Sequence, residues 1–329
     1  MAVDQKPVAA QETRPRKKVP FGVSFVAGGV SGTVGAVLTC PLEVVKTRLQ
    51  STMYHQPGPA VLAQGSTAVL TQRSLLRSIG FHIRGTVDVL RAIHQTEGLR
   101  ALWKGVGATV VGVMPSRAIY FSTYAQTKHL LVDMHPSRHE GPLVHLSSAA
   151  VAGIATATAT NPIWLIKTRM QLQRDTRLYR NSWDCLRKVL RDEGLRGLYR
   201  GLSASYLGVA EGTIQWVLYE RIKHHLQGSR EDPHAPDTKA DMAKYFLAAA
   251  GSKLFAATLT YPHEVLRTRL REHNHKYHGL LHALRAIARD EGMAALYGGM
   301  TAHMMRVVPN SAIMFFCYEL ITHLYHQNR

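Results

Sequence analysis

Hydrophobic and polar positions alternate along this chain in long blocks. Residues 19–42 contain no Asp, Glu, Lys or Arg over 24 positions, enough for one bilayer crossing at about 1.5 Å per residue. Residues 141–166 are likewise uncharged, and residues 245–261 are interrupted only by Lys253. Three further blocks, 105–127, 201–219 and 300–318, carry one charge each: Arg117, Glu211 and Arg306. Buried helices of a water-soluble protein would show a charged outer face at helical spacing. These blocks show none, and six membrane-spanning helices are predicted.

The blocks belong to an internal repeat. Pro41-Leu-Glu-Val-Val-Lys-Thr-Arg48 recurs as Pro162-Ile-Trp-Leu-Ile-Lys-Thr-Arg169 and Pro262-His-Glu-Val-Leu-Arg-Thr-Arg269. Each copy is followed by a Glu-Gly box, beginning at Glu97, Glu193 and Glu291, with intervals of 96 and 98 residues. The reading is a basic tail (1–18) and three units, 19–130, 141–225 and 240–329, each with two spans and a short helix between them. In the first unit, proline and box lie 56 residues apart, against 31 and 29 in the others. The excess maps to residues 51–80, rich in Ser, Gln, Gly and Pro, and is expected to form an extended loop.

Charge sharpens this picture. The chain has 40 Lys and Arg against 22 Asp and Glu, a net charge of +18. The segments joining the two spans of each unit carry +6, +6 and +3, while both linkers between units are neutral. Alternate loops of a six-span protein lie on one side, so fifteen of the eighteen charges face one compartment. A nucleic-acid binder has no need of such alternation, and nucleic acid is not an expected partner. Cys40, Cys185 and Cys317 are an odd number, lie far apart and form no CxxC pair, so neither a disulfide framework nor a zinc knuckle is indicated. The tail has no apolar core and carries Asp4 and Glu12, unlike a secretory signal or a typical transit peptide.

The triplicated proline-acid-base motif, the two-span unit and the aromatic-basic-glycine boxes resemble the mitochondrial carrier family, solute carrier family 25, over about residues 19–325. The resemblance implies an all-α membrane protein. Six transmembrane helices would form a threefold pseudo-symmetric barrel with three short matrix helices. It also implies a monomeric transporter rather than an enzyme, in the mitochondrial inner membrane. Both termini would face the intermembrane space, and alternating access would centre on one site near the midplane.

Proline lacks an N–H and clashes one turn back, so it ends or kinks a helix. Acid and base three residues apart then sit together at the inner ends of the odd-numbered spans. The resemblance implies a matrix gate pairing Glu43 with Lys167 and Glu264 with Lys46. The third pair is missing, because Trp164 stands where an acid would face Arg267. Gln50 and Gln171 match the family's brace beneath such pairs, and Arg271 replaces it in the third copy. Exposed helix-end ion pairs would be worth under ~1 kcal/mol each, but three copies in register argue for a gate. At the outer ends of the even spans, Lys128 with Glu220 and Lys223 with Glu319 would form a cytoplasmic gate. Its third bridge is lost, since Ala125 lacks the acid and Thr322 the base.

Ionisable residues at membrane depth line pathways or bind substrate. With the motifs set aside, Arg117, Lys253, Arg306 and Glu211 remain, three cations against one acid, which argues for an anionic solute. Aligned on Pro115 and Pro309, Arg117 and Arg306 are five positions apart, about 7.5 Å along a helix. That spread suits a phosphate chain, which arginine binds bidentately. Gly112, Gly208, Glu211, Gln215 and Asn310 lie near the same depth as candidates to read a base or ribose. Lys253 falls in a small-residue register shared with Gly28, Gly32, Ala149 and Gly153, a stripe suited to close helix packing. Its other reading is a side chain reaching a headgroup.

Trp164 in place of the second acid resembles the branch of the family that carries pyrimidine nucleotides, NAD, and flavin or folate compounds. Pro115-Ser-Arg-Ala-Ile-Tyr-Phe121, the segment from Tyr261 to Arg271 and the long first loop are most similar to its pyrimidine nucleotide carriers. NAD is the nearest rival, and an ion or proton leak is the alternative of a different class. The boxes Trp103-Lys104-Gly105 and Tyr199-Arg200-Gly201, with Tyr277-His278-Gly279, resemble the family's cardiolipin sites at helix starts. The third box, Tyr297-Gly298-Gly299, has lost its base. His273, His275, His278 and His282 read as a solvated loop rather than a metal site. No phosphate-binding glycine loop of the ATPase type occurs, and no cofactor is expected.

Overall fold

A computed structural model describes residues 21–52, 75–134, 141–173, 178–228, 239–273 and 276–327. The tail 1–18 and the insertion residues 53–74 lie outside these. Every regular element described is helical. Repeat 1 contains α1 (Phe21–Leu38), α2 (Cys40–Gln50), α3 (Leu75–Glu97) and α4 (Val106–Met134). Repeat 2 contains α5 (Pro142–Leu172), α6 (Ser182–Asp192), α7 (Gly194–Leu198) and α8 (Leu202–Gly228). Repeat 3 contains α9 (Lys239–Thr260), α10 (Pro262–Arg271), α11 (Leu280–Asp290) and α12 (Met300–Gln327).

Two expectations change. The insertion is not a loop to its end, because residues 75–80 are already helical, and α3 has 23 residues against 11 in α6 and α11. The spacing Leu75, Ile79, Ile83 is helical and outweighs the polar composition upstream. The motif prolines also act unequally. At Thr39 the first span breaks, with a bend of 63°, and at Tyr261 the fifth span divides into α9 and α10. The third span, α5, continues unbroken through Pro162.

The spans pack side by side in chain order, α1 on α4, α4 on α5, α5 on α8 and α8 on α9, and α12 closes onto α1 and α2. The ends of α2, α5 and α10 converge. No two of the even spans α4, α8 and α12 pack extensively on each other. The molecule is closed at the basic end, with the even spans apart at the other.

Large apolar side chains such as Leu143, Phe246, Leu247, Val308, Phe315 and Phe316 point outward and are exposed. An apolar belt of that extent belongs against lipid. By length and hydropathy alone, Pro142–Leu172, Met293–Tyr325 and the bent pair Val26–Leu38 with Cys40–Gln50 pass as spans. The other three are more polar: α4 and α8 turn Ser116, Tyr120, Tyr124, Ser205, Glu211 and Thr213 inward, and α9 carries Lys253.

Three apolar cores gather at the basic end, one per repeat. Each is built on a helical i, i+4 pair of the loop helix: Val89 and Ile93, Cys185 and Val189, Ala283 and Ile287. They pack against Val44 and Val45 in the first repeat, Leu165 and Ile166 in the second, and Leu266 and Leu270 in the third. A lock that the sequence motifs did not disclose ties each core to its box. Arg48 forks onto Glu97, Arg169 onto Glu193 and Arg269 onto Glu291, with Nη2–Oε2 distances of 2.8, 2.9 and 2.6 Å. The remaining Nε–H of each arginine donates to the next repeat. Arg48 reaches the Gln171 carbonyl (3.2 Å), Arg169 that of Arg271 (3.0 Å) and Arg269 that of Gln50 (2.9 Å). The three repeats are thus stitched in a closed cycle.

Candidate functional site

The convergence of α2, α5 and α10 brings the motif charges together. Lys167 Nζ lies 2.7 Å from Glu43 Oε1, and Lys46 Nζ lies 2.7 Å from Glu264 Oε2. Both lysines are buried. Each carboxylate also holds an arginine that faces the interior. Arg306 Nη1 is 3.4 Å from Glu43 Oε1, and Arg267 Nη2 is 2.9 Å from Glu264 Oε1. Arg306 therefore sits beside the ion-pair ring as well as the cavity. Beneath the bridges, Gln50 accepts from Thr268 (2.8 Å) and donates to the Tyr261 hydroxyl (3.0 Å), while Gln171 accepts from Thr47 (3.0 Å).

The third boundary, between repeats 2 and 3, is built differently. Trp164 donates to Thr160 Oγ1 (3.0 Å), and Lys167 Nζ lies 4.8 Å from its ring centre, a cation–π distance. Arg267 has turned to the acid of its own helix. Arg271, in the brace position, donates from Nη2 to Asn161 Oδ1 (2.7 Å) and to Ser205 Oγ (3.1 Å).

Two cavities that share part of their walls adjoin the ring. One, of about 420 Å³, is lined by Lys46, Arg117, Lys167, Arg267, Arg271 and Arg306, six cations, against Glu43 and Glu264. Asn310, Gln50 and Gln171 complete its polar wall. The other, of about 910 Å³, is lined by Tyr120, Phe121, Tyr124, Trp216, His145, His263 and Glu211. Ser116, Trp164, Glu264, Arg267 and Arg271 belong to both walls. Tyr120 stacks on Tyr124 and Tyr124 on His145, with ring centres 6.3 and 6.4 Å apart. The Tyr124 hydroxyl meets His145 Nδ1 at 2.7 Å. This aromatic wall and His263 were not among the expected site residues. The spacing of Tyr120 and Tyr124 by four was the available signal, and His145 lay unmarked in an apolar span.

Several expected site residues are placed otherwise. Lys253 Nζ is 2.6 Å from Glu211 Oε1, so these two neutralise each other and neither is a free charge. Gly112 is buried under Ile163 and Trp164, off the cavity wall, and Gln215 lines neither cavity. Gly208 lies on the wall but faces the His263 ring, which a Cβ there would meet at 2.9 Å. The Gly28 and Gly32 stripe makes room for a side chain rather than a helix, because a Cβ at Gly32 would meet Arg117 Nη2 at 3.1 Å. Arg117 has no acid partner among the described residues.

At the distal end, neither Lys128 with Glu220 nor Lys223 with Glu319 forms an ion pair in this state, in keeping with the separated even spans. At the boxes, Lys104 is committed to Glu97 (2.7 Å) and to the Gln173 carbonyl (3.1 Å), and Arg200 lies 3.5 Å from Glu193. The box bases therefore serve internal carboxylates. Burial raises the Glu97 carboxyl, but hydrogen bonds from Arg48 and Lys104 outweigh it and hold the group below its usual 4.5. Trp103 donates to the Val37 carbonyl (3.2 Å). Gly105, Gly201 and Gly299 have φ of 83°, 74° and 76°, open to glycine without strain. Each seats on the next repeat, where a Cβ would meet Gln171, Arg271 and Lys46 at 3.0, 3.1 and 2.9 Å. Gly279 has extended backbone ahead of α11. His273 Nδ1 lies 3.9 Å from Glu193, and His275 falls outside the described residues.

Comparisons with known proteins agree with this architecture. The chain matches the family described as mitochondrial carrier protein over residues 17–135, 138–230 and 238–329, one match per repeat. It is 44% identical over 323 residues to the mitochondrial pyrimidine nucleotide transporter RIM2 of Saccharomyces cerevisiae, covering 92% of this chain and 85% of that protein. It is 44% identical to solute carrier family 25 member 36 of Mus musculus, covering 92% and 97% of the two chains. It is 40% identical to the human solute carrier family 25 member 33, covering 91% and 93%. On its threefold repeat, its all-helical ring and these matches, the chain belongs to the mitochondrial carrier family.

Proposed function

We propose that this protein exchanges pyrimidine (deoxy)nucleotides across the mitochondrial inner membrane by alternating access. One observation carries the reading: a cationic cavity joined to a larger, mostly uncharged aromatic one. Such a pair of compartments fits a molecule that is anionic at one end and planar at the other. The similarity to a yeast protein named as a pyrimidine nucleotide transporter supports the choice of solute. Phosphates lie toward Arg117, Arg306 and the ring, and the base toward Tyr120, Tyr124 and Trp216. In a cleft lined by six cations the field is focused and attracts an anion more strongly than the same charges would in bulk solvent.

The ring of Glu43, Lys167, Glu264 and Lys46 is the matrix gate, drawn closed here. Lys128, Glu220, Lys223 and Glu319 form the cytoplasmic gate of the alternate state. The loops bearing α3, α6 and α11 face the matrix and both termini the intermembrane space. The repeats divide as 19–130, 141–225 and 240–329, and the protein works as a monomer. Cardiolipin phosphate is held by backbone N–H groups at Gly105, Gly201 and Gly279 rather than by Lys104, whose charge is already matched. A thermal-shift panel on purified protein tests the solute. UTP, CTP and dTTP are expected to raise the melting temperature, with NAD, flavin and folate compounds inert. Stabilisation by NAD alone would overturn the assignment.

A further inference from the structure

Arg271 is 4% exposed, and its Nε has no hydrogen-bond partner. Its two hydrogen bonds go to neutral oxygens, Asn161 Oδ1 and Ser205 Oγ. Among the described residues, no carboxylate lies within ion-pair distance of it. A buried guanidinium without an anion is strongly unfavourable, and the guanidiniums of the repeat locks avoid that by forking onto Glu97, Glu193 and Glu291. Arg271 lines both cavities at their junction. One turn earlier on α10, Arg267 borders the same junction and shares Glu264 with Lys46. The missing element at this boundary is a negative charge, because Trp164 stands where repeats 1 and 3 carry Glu43 and Glu264.

We propose that the substrate's own phosphate chain supplies the absent third acid, with Arg271 as its receptor and Arg267 beside it. The inference rests on the nucleotide reading above and extends it to a named subsite at the repeat 2–3 boundary. A phosphate there is bound by a charge-assisted fork and compensates a buried guanidinium that has no carboxylate among the described residues. Longer phosphate chains reach this floor from the aromatic cavity, and monophosphates fall short of it. The subsite thus selects for phosphate number rather than for the base.

Arg271→Gln tests this, because it installs the same side chain that Gln50 and Gln171 provide in the other repeats. Inorganic tripolyphosphate and UTP are expected to stabilise the wild-type protein, and tripolyphosphate to lose its effect in the variant. The UTP concentration for half-maximal exchange should rise about tenfold or more, the loss of a charged hydrogen bond, while that for UMP changes little. Arg271→Lys, keeping charge without the fork, should fall between the two, and it carries the test if Arg271→Gln does not fold. An unchanged UTP-to-UMP ratio and an unchanged response to tripolyphosphate would make Arg271 a packing clamp and overturn the proposal. If tripolyphosphate stabilises through Arg271 but no pyrimidine nucleotide exchanges, the subsite stands and the solute assignment falls.

Discussion

The boundary between repeats 1 and 2 and that between repeats 2 and 3 occupy equivalent positions in one pseudo-symmetric fold. At the first, Glu43 meets Lys167 over a neutral glutamine. At the second, an indole replaces the acid and a buried guanidinium replaces the glutamine. The backbone stitching is the same at both, since Arg48 and Arg169 each reach the carbonyl of the next repeat. Threefold symmetry therefore holds for the main-chain stitching and fails for charge. A closed ring needs the main-chain contacts everywhere, but two ion pairs suffice to shut it. The third position is then open to a substrate.

The largest expected effect breaks the intact side of this comparison. Glu264→Gln leaves Lys46 and Arg267 without their carboxylate, and losing one partner of a buried pair costs about 3–5 kcal/mol. A fall in melting temperature of roughly 5 °C or more should accompany it, together with loss of exchange. Trp164→Glu makes the second boundary resemble the first by giving Arg267 an acid from the neighbouring repeat. A bridge worth up to ~1 kcal/mol should raise the melting temperature by roughly 2 °C and slow exchange, because the closed gate is harder to open. The same acid would compete with nucleotide phosphate, so UTP should stabilise this variant less than wild type. Ala125→Glu with Thr322→Lys completes the distal gate instead, and its effect is smaller: slower exchange in liposomes without a change in UTP stabilisation.

The smallest effect concerns the repeat locks. A carboxylate held below its unfolded pKa contributes stability that is full above the unfolded value and lost as pH falls through the folded one. Glu97 is lowered from 4.5 by Arg48 and Lys104 after burial has raised it. The difference in melting temperature between wild type and Glu97→Gln should therefore be constant above about pH 5 and shrink below about pH 4.5.

Much of this was legible in the sequence, for identifiable reasons. Motif spacing put Glu43, Lys46, Lys167 and Glu264 at the ends of three related helices, and the family resemblance implied how they pair. The same regularity showed that Trp164 would leave Arg267 without a cross-repeat acid. Lys253 was legible as a charge at depth, but its partner Glu211 lies on another helix, and helix rotation is not written in composition. Gly28 and Gly32 read as a packing stripe because small residues announce space without saying what fills it; Arg117 does. The helical end of the insertion was hidden by the polar composition of its beginning.

The central claim is nucleotide exchange through a gated site, and transport in liposomes tests it most directly. Purified protein is reconstituted with internal UTP or with empty buffer, and uptake of labelled UTP or CTP is followed. Saturable uptake that requires internal nucleotide and is competed by dTTP but not by NAD is the predicted result. Uptake of NAD in preference to UTP, or ion conductance without any counter-substrate, would contradict it.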